Sequence, residues 1–174
     1  YFNNHHPLAH TWLIYVFRNL GEQIGSYETG FAWFSLMQQM VTALVLGYAC
    51  AMIWRLLKKR WAVCAAVLFF GCFPLISVFV MCTTKDVLFG AFFVLFLLLL
   101  IEMQLGTKWA GPALVAAGIL MILFRNNALY AAIPFGILYV LLCGKGKRLR
   151  AFLLIGAILL GGKGALMGLQ YGFQ

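Results

Sequence analysis

The chain has 174 residues, of which 64% are hydrophobic and only 10% are charged, and its mean hydropathy is +0.97. These proportions and the long apolar runs exclude a soluble globular domain and indicate a protein with several membrane-spanning helices. The net charge of +9 would suggest a nucleic-acid partner in a soluble protein, but here it gathers in loops between apolar runs. We therefore expect membrane lipids, and no nucleic acid, as partners.

Residues 1–30 are too polar to span a membrane. From Pro7 to Leu20 the apolar residues recur at helical spacing, which predicts an amphipathic helix lying in the membrane interface. The glycines from Gly21 to Gly30 then predict a loop that leads into the first span.

His5, His6 and His10 lie at the start of this segment. His6 and His10 are four residues apart and would share a helix face, which is the spacing of a two-ligand metal site. No third ligand is evident nearby, so we predict no resident metal and keep a divalent cation as an alternative cofactor. The other readings are interfacial polar residues and contacts to a substrate phosphate.

Apolar segments recur through the rest of the chain. They predict five membrane spans, with a sixth in a glycine-rich segment, at residues 31–57, 61–82, 87–105, 109–124, 128–143 and 151–167. The expected fold is all-α: residues 1–30 form an extracytoplasmic loop with an interfacial helix, and residues 31–174 form a transmembrane bundle of five to six helices. We expect this bundle to be part of a longer chain.

The basic residues predict the orientation, because cytoplasmic loops retain Lys and Arg during insertion. Most of them lie in alternate loops: Arg55, Lys58, Lys59, Arg60, Lys108, Lys145, Lys147, Arg148 and Arg150. These loops are therefore expected to be cytoplasmic in a bacterial plasma membrane. Residues 1–30 and the turns at 83–86 and 125–127 would then face outward together.

The turn before the third span contains Thr83, Lys85 and Asp86. Thr83 as N-cap and Asp86 three residues later resemble a capping box, which gives Asp86 a structural role. Lys85 opposes the helix dipole, so it is better explained by a bound anion or by pairing with Asp86 or Glu28.

The turn between the fourth and fifth spans contains Arg125 and Asn126. Asn is common in tight turns, and Arg can extend to the lipid head groups. Arg also presents a planar fork of donors that suits phosphate, and we favour a phosphate contact.

Three further polar features lie within the apolar segments. Gln38 and Gln39 are expected to form hydrogen bonds between helices. Glu102 is expected at the inner interface or beside Lys108. Lys163 lies in a glycine cluster that lacks the spacing of a phosphate loop, and its glycines are expected to allow close helix packing.

The order of these motifs resembles bacterial membrane proteins related to the GT-C glycosyltransferases. The resemblance covers most of residues 3–135, from the His-His-Pro-x-x-His-Thr segment through Thr-Lys-Asp to Arg-Asn-Asn. It implies an enzyme that takes a sugar from a polyprenyl-phosphate carrier and transfers it to an acceptor at the outer face.

The resemblance also implies roles for single residues. His6 and Pro7 would shape the cleft, Lys85 and Arg125 would hold the carrier phosphate, and Asp86 would orient Lys85 or an acceptor hydroxyl. The catalytic base of such enzymes is an acid in the first outer loop, which is expected upstream of Tyr1. Asp86, Glu22 and Glu28 are the substitutes within this sequence.

Two other functions fit the same pattern. A transporter or lipid flippase would place broken helices or polar residues near the bilayer midplane, where Lys163 and its glycines are the only such group. A membrane scaffold would use the polar turns only as helix caps and interfacial anchors.

Overall fold

A computed structural model describes residues 8–125, 127, 128, 130, 133, 134, 137, 139, 140, 146 and 148–172. It divides into two compact units. One contains residues 12–98, and the other contains residues 99–174 with the N-terminal end up to Thr11. Seven helices and no strand occur among the described residues, so the predicted all-α class is confirmed.

The first five helices follow one another with short connections. They are α1 (Leu8–Ile24), α2 (Tyr27–Leu57), α3 (Arg60–Cys72), α4 (Pro74–Met81) and α5 (Lys85–Gln104). Ser26 is the N-cap of α2, and its hydroxyl accepts a hydrogen bond from the Thr29 amide at 3.4 Å.

The predicted second span is broken into α3 and α4. The two helices are bent by 52° at Phe73, which has an extended backbone, and Pro74 begins α4. A residue before proline is disfavoured in the helical region, and proline suits the first turn of a helix. The Ser77 hydroxyl donates to the Gly71 carbonyl at 3.4 Å, which partly satisfies a backbone group released by the break.

Two helices of the second unit, α6 (Ala110–Phe124) and α7 (Arg148–Gly172), pack against each other. Their contact depends on glycine. A Cβ atom at Gly118 would lie 2.8 Å from Ile158 Cγ2, and one at Gly162 would lie 2.7 Å from Ile122 Cδ1. The absence of side chains at these glycines lets the helices approach closely. This close packing was predicted from the sequence for the glycine cluster around Lys163.

Among the described residues, three helices, α2, α5 and α7, are long and apolar enough to span a membrane, and α3 with α4 would make a fourth span if they count as one. These helices indicate a membrane-associated protein. The predicted sixth span is thus a 25-residue helix, longer than expected. Helix α6 has only 15 residues. Most of the predicted span at 128–143 lies outside the described residues.

The predicted loop from Gly21 to Gly30 is wrong. Helix α1 continues to Ile24, and α2 begins at Tyr27, so only Gly25 and Ser26 separate them. Gly21 and Gly30 lie within the helices and face each other, since a Cβ at Gly21 would overlap the backbone nitrogen of Gly30. These glycines therefore allow a close crossing of α1 and α2. Phe17 and Phe34 add a contact between the same helices, with ring centroids 5.8 Å apart.

This crossing gives a test of the α1–α2 packing. A Cβ at Gly30 would overlap the Phe17 carbonyl oxygen, which is backbone and cannot rotate away. We expect Gly30→Ala to destabilise the protein by about 1–3 kcal/mol in detergent unfolding measurements. Gly47→Ala, in open space on the same helix, should be neutral or stabilising by about 0.5–1 kcal/mol. Equal effects of the two substitutions would contradict this crossing.

Candidate functional site

The end of α4 and the turn before α5 are held by a buried side chain from α2. Gln38 is fully buried, and its Nε2 donates to the carbonyl oxygens of Val80 at 3.0 Å and Cys82 at 2.8 Å. The last carbonyls of a helix have no partner within that helix. Gln38 therefore caps α4 from a neighbouring helix, which makes the predicted hydrogen bond between helices specific.

The orientation of the Gln38 amide follows from its partners. Both are carbonyl oxygens, which only accept hydrogen bonds, so the amide nitrogen must face them. Its Oε1 then points away and is buried without a hydrogen-bond partner among the described residues. Gln38 also accepts, through its backbone carbonyl, a hydrogen bond of 2.9 Å from the Thr42 hydroxyl one turn later.

Lys85 is the first residue of α5 and is half-buried. Within the described part of the chain it forms neither a hydrogen bond nor an ion pair, so the expected pairing with Asp86 or Glu28 is absent. An ammonium group in this place opposes the helix dipole with no compensating partner there. The structure thus leaves Lys85 without the structural explanation that the sequence allowed.

Asp86 lies in the first turn of α5, where a carboxylate stabilises the helix, and its Oδ1 is buried. The other half of the predicted capping box does not form. Helix α5 begins one residue later than expected, with Thr84 directly before it, and the Thr83 hydroxyl makes no hydrogen bond with a described residue.

An apolar cavity of about 470 Å³ lies among α2, α3, α4 and α5. Val80 and Val87 line it, and Thr42 is the polar residue in its wall. Val80 also binds Gln38 through its carbonyl, and Val87 is two residues from Lys85. The α4 and α5 segments that line the cavity are therefore joined by the polar turn, a relationship that the hydrophobic pattern of each helix does not reveal.

Arg125 follows the last residue of α6 and is exposed. Its backbone amide donates to the carbonyls of Met121 and Ile122, which closes the helix. A cation at a helix C-terminus is favoured by the dipole. Arg125 lies in the unit of residues 99–174, whereas Lys85 lies in the unit of residues 12–98. Asn126 lies outside the described residues.

The histidine segment is described only in part. His10 lies on α1 and is half-buried, with a buried Nε2, whereas His5 and His6 lie outside the described residues. No group of three or more His, Cys, Asp or Glu side chains that would suit a metal occurs among the described residues.

The remaining carboxylates have separate surroundings. Glu22 pairs with Arg18 at 3.0 Å on the exposed face of α1, and Glu28 is exposed in the first turn of α2. Glu102, near the end of α5, is fully buried and accepts a 2.6 Å hydrogen bond from the Thr107 hydroxyl. The turn that brings Thr107 back includes Gly106 with φ of +85°, a conformation that favours glycine.

A family model matches residues 1–163, and its description is a family of unknown function, DUF6020. The chain belongs to the DUF6020 family. No curated protein and no solved structure matches it. Membership in DUF6020 assigns no reaction, so function has to be argued from the Gln38 cap, the cavity and the cations.

The Gln38 cap gives a second test. Gln38→Leu keeps the size of the side chain but removes the donor to two carbonyls, so we expect a loss of about 1–3 kcal/mol in unfolding free energy. Hydrogen exchange should also rise at the end of α4. Gln39→Leu is the matched control, because the Gln39 amide binds only Ser35 on its own helix, at 3.2 Å. Its effect should stay within about 0.5 kcal/mol, and an effect as large as that of Gln38→Leu would count against the cap.

Proposed function

We propose that the protein transfers a sugar from a polyprenyl-phosphate carrier to an acceptor at the extracytoplasmic face of a bacterial plasma membrane. The proposal rests on Lys85, which has no partner among the described residues, together with an apolar cavity whose wall includes Val87 on the same helix. A phosphate on a long hydrocarbon chain matches both features at once. The resemblance to GT-C-related proteins names the same class of substrate.

The chemistry fits these residue types. The acceptor hydroxyl loses a proton to a carboxylate, its oxygen bonds to the anomeric carbon of the sugar, and the bond from that carbon to the carrier phosphate breaks. The departing lipid phosphate gains negative charge, which Lys85 and Arg125 would stabilise. Asp86 lies next to Lys85 in sequence and would orient it or the acceptor hydroxyl.

The polar segments near the N-terminus complete the proposed site. His5, His6 and His10 would contact the donor or acceptor phosphate, and Asn126 would support Arg125 in the same turn. No resident metal is assigned to this site, and a divalent cation that would neutralise phosphate charge is the alternative.

The topology is tested by labelling. In a background without native cysteines, Lys85→Cys and Arg125→Cys should react with a membrane-impermeant maleimide added to intact cells, and Lys59→Cys should react only after permeabilisation. Labelling of positions 85 and 125 from opposite faces would exclude a shared outward site.

The reaction is tested with the purified full-length protein. We expect it to consume a polyprenyl-phosphate sugar, and Lys85→Ala or Arg125→Ala to lower kcat/KM by about tenfold or more, the worth of one charged hydrogen bond. Lys59→Ala is the control, since Lys59 is exposed and precedes α3. Wild-type rates in both site variants would refute the site, and absence of any sugar transfer would refute the function.

A transporter or lipid flippase is the second candidate, and the 52° break between α3 and α4 favours it. Broken helices often bind substrates in transporters, and here the break lies beside the cavity, whose wall includes Phe70 and Leu75. Accumulation of a lipid-linked substrate across vesicles without chemical change would decide for this function.

A further inference from the structure

Helices α6 and α7 run in the same direction. Gly111 near the start of α6 faces Arg150 near the start of α7, and Ile122 near the end of α6 lies against Gly162. Arg125 follows Ile122 by three residues, and Lys163 follows Gly162 by one. At about 1.5 Å per residue, the Cα atoms of Arg125 and Lys163 lie within about 3 Å of each other in height.

The two cations also lie on the same side of the helix contact. At about 100° per residue, Arg125 lies about 60° round α6 from the contact, and Lys163 lies about 100° round α7 from it. For two right-handed helices that run in parallel, these rotations turn both residues toward one side. The pair Ile119 and Gly161, which meet on the other side, agrees with this sense of rotation.

Lys163 lies deep in an apolar helix. It is exposed, and it has no hydrogen bond or ion pair to any residue that the structure describes. Thirteen residues separate it from Arg150, which is about 20 Å along the helix in a hydrocarbon layer of about 30 Å. A charge at that depth is costly unless it reaches the interface or meets an anion.

We propose that Lys163 and Arg125 form a two-cation site that binds a phosphate group at the far end of α6 and α7. The guanidinium supplies a planar fork of donors and the ammonium a compact second charge, a combination that suits the oxygens of one phosphate. The identification of this phosphate as that of the lipid carrier rests on the proposed function. A free phosphate would have the same chemistry.

The structural alternative is that Lys163 extends its side chain to the membrane surface without a ligand. That alternative explains why Lys163 is exposed. It does not explain why Lys163 lies at the same height as Arg125 and on the same side of the helix contact. The two readings differ in whether Lys163 contributes to binding of a phosphate.

The test is a binding measurement on the full-length protein in nanodiscs, with a fluorescent polyprenyl monophosphate as the probe. We expect Lys163→Met and Arg125→Gln each to weaken binding about tenfold, and the double variant to weaken it by less than the product of the two. Lys163→Arg should restore most of the affinity. Lys163→Met replaces a charge with an apolar side chain in an apolar helix, so folding is expected to be preserved.

Lys108→Gln, at the opposite end of α6, is the control and should bind the probe normally. Equal binding of the corresponding polyprenol would overturn the phosphate site, and so would unchanged affinity in Lys163→Met. Competition by millimolar inorganic phosphate would support the cation pair and indicate a free phosphate as its ligand. If the lipid probe binds tightly and inorganic phosphate does not compete with it, the ligand is a lipid phosphate. Retained phosphate binding without sugar transfer would refute the proposed function and leave this site intact.

Discussion

The hydrogen bonds of Gln38 determine the arrangement of the whole polar turn between α4 and α5. Helix α4 has only eight residues, and its terminal carbonyls lie among apolar helices, where an unpaired acceptor is expensive. A single buried amide from α2 supplies both missing donors. Since α5 begins three residues after Cys82, the same contact also fixes where Lys85 begins its helix.

This arrangement links the helix break to the cavity. Helix α3 ends before Pro74, and after the bend of 52° α4 forms one wall of the cavity. The break, the Gln38 cap and the apolar cavity thus all involve α4.

The sequence predicted the helices better than their contacts. Hydropathy reports how apolar a segment is, so the predicted spans at 31–57 and 87–105 lie within a few residues of α2 and α5. The loop at Gly21–Gly30 was wrong because glycine is equally suited to a turn and to a close helix crossing, and only the partner backbone distinguishes them. The α3–α4 break was also missed, since Pro74 lies in an unbroken apolar run that satisfies every criterion of composition for a span.

The candidate site was predictable in its residue types and not in its geometry. The sequence selected Lys85 because a cation opposes the dipole at the start of a helix, and the structure supports that argument by showing no partner for it in the described residues. Nothing in the sequence connected Arg125 with Lys163. Their relative position depends on the register between α6 and α7, which is set by the glycines that contact Ile122 and Ile158. No spacing within one chain segment encodes that register.

The cations differ in what the fold already explains. Arg125 stands at the end of α6, where the dipole favours a positive charge, so its position alone has a structural cause. Lys85 stands where the dipole disfavours it, and Lys163 stands where the surrounding lipid would disfavour it. The helix dipole thus disfavours Lys85 and the lipid disfavours Lys163, and a bound anion would offset the cost of either lysine. The positions of the two lysines therefore favour a bound anion more strongly than the position of the arginine does.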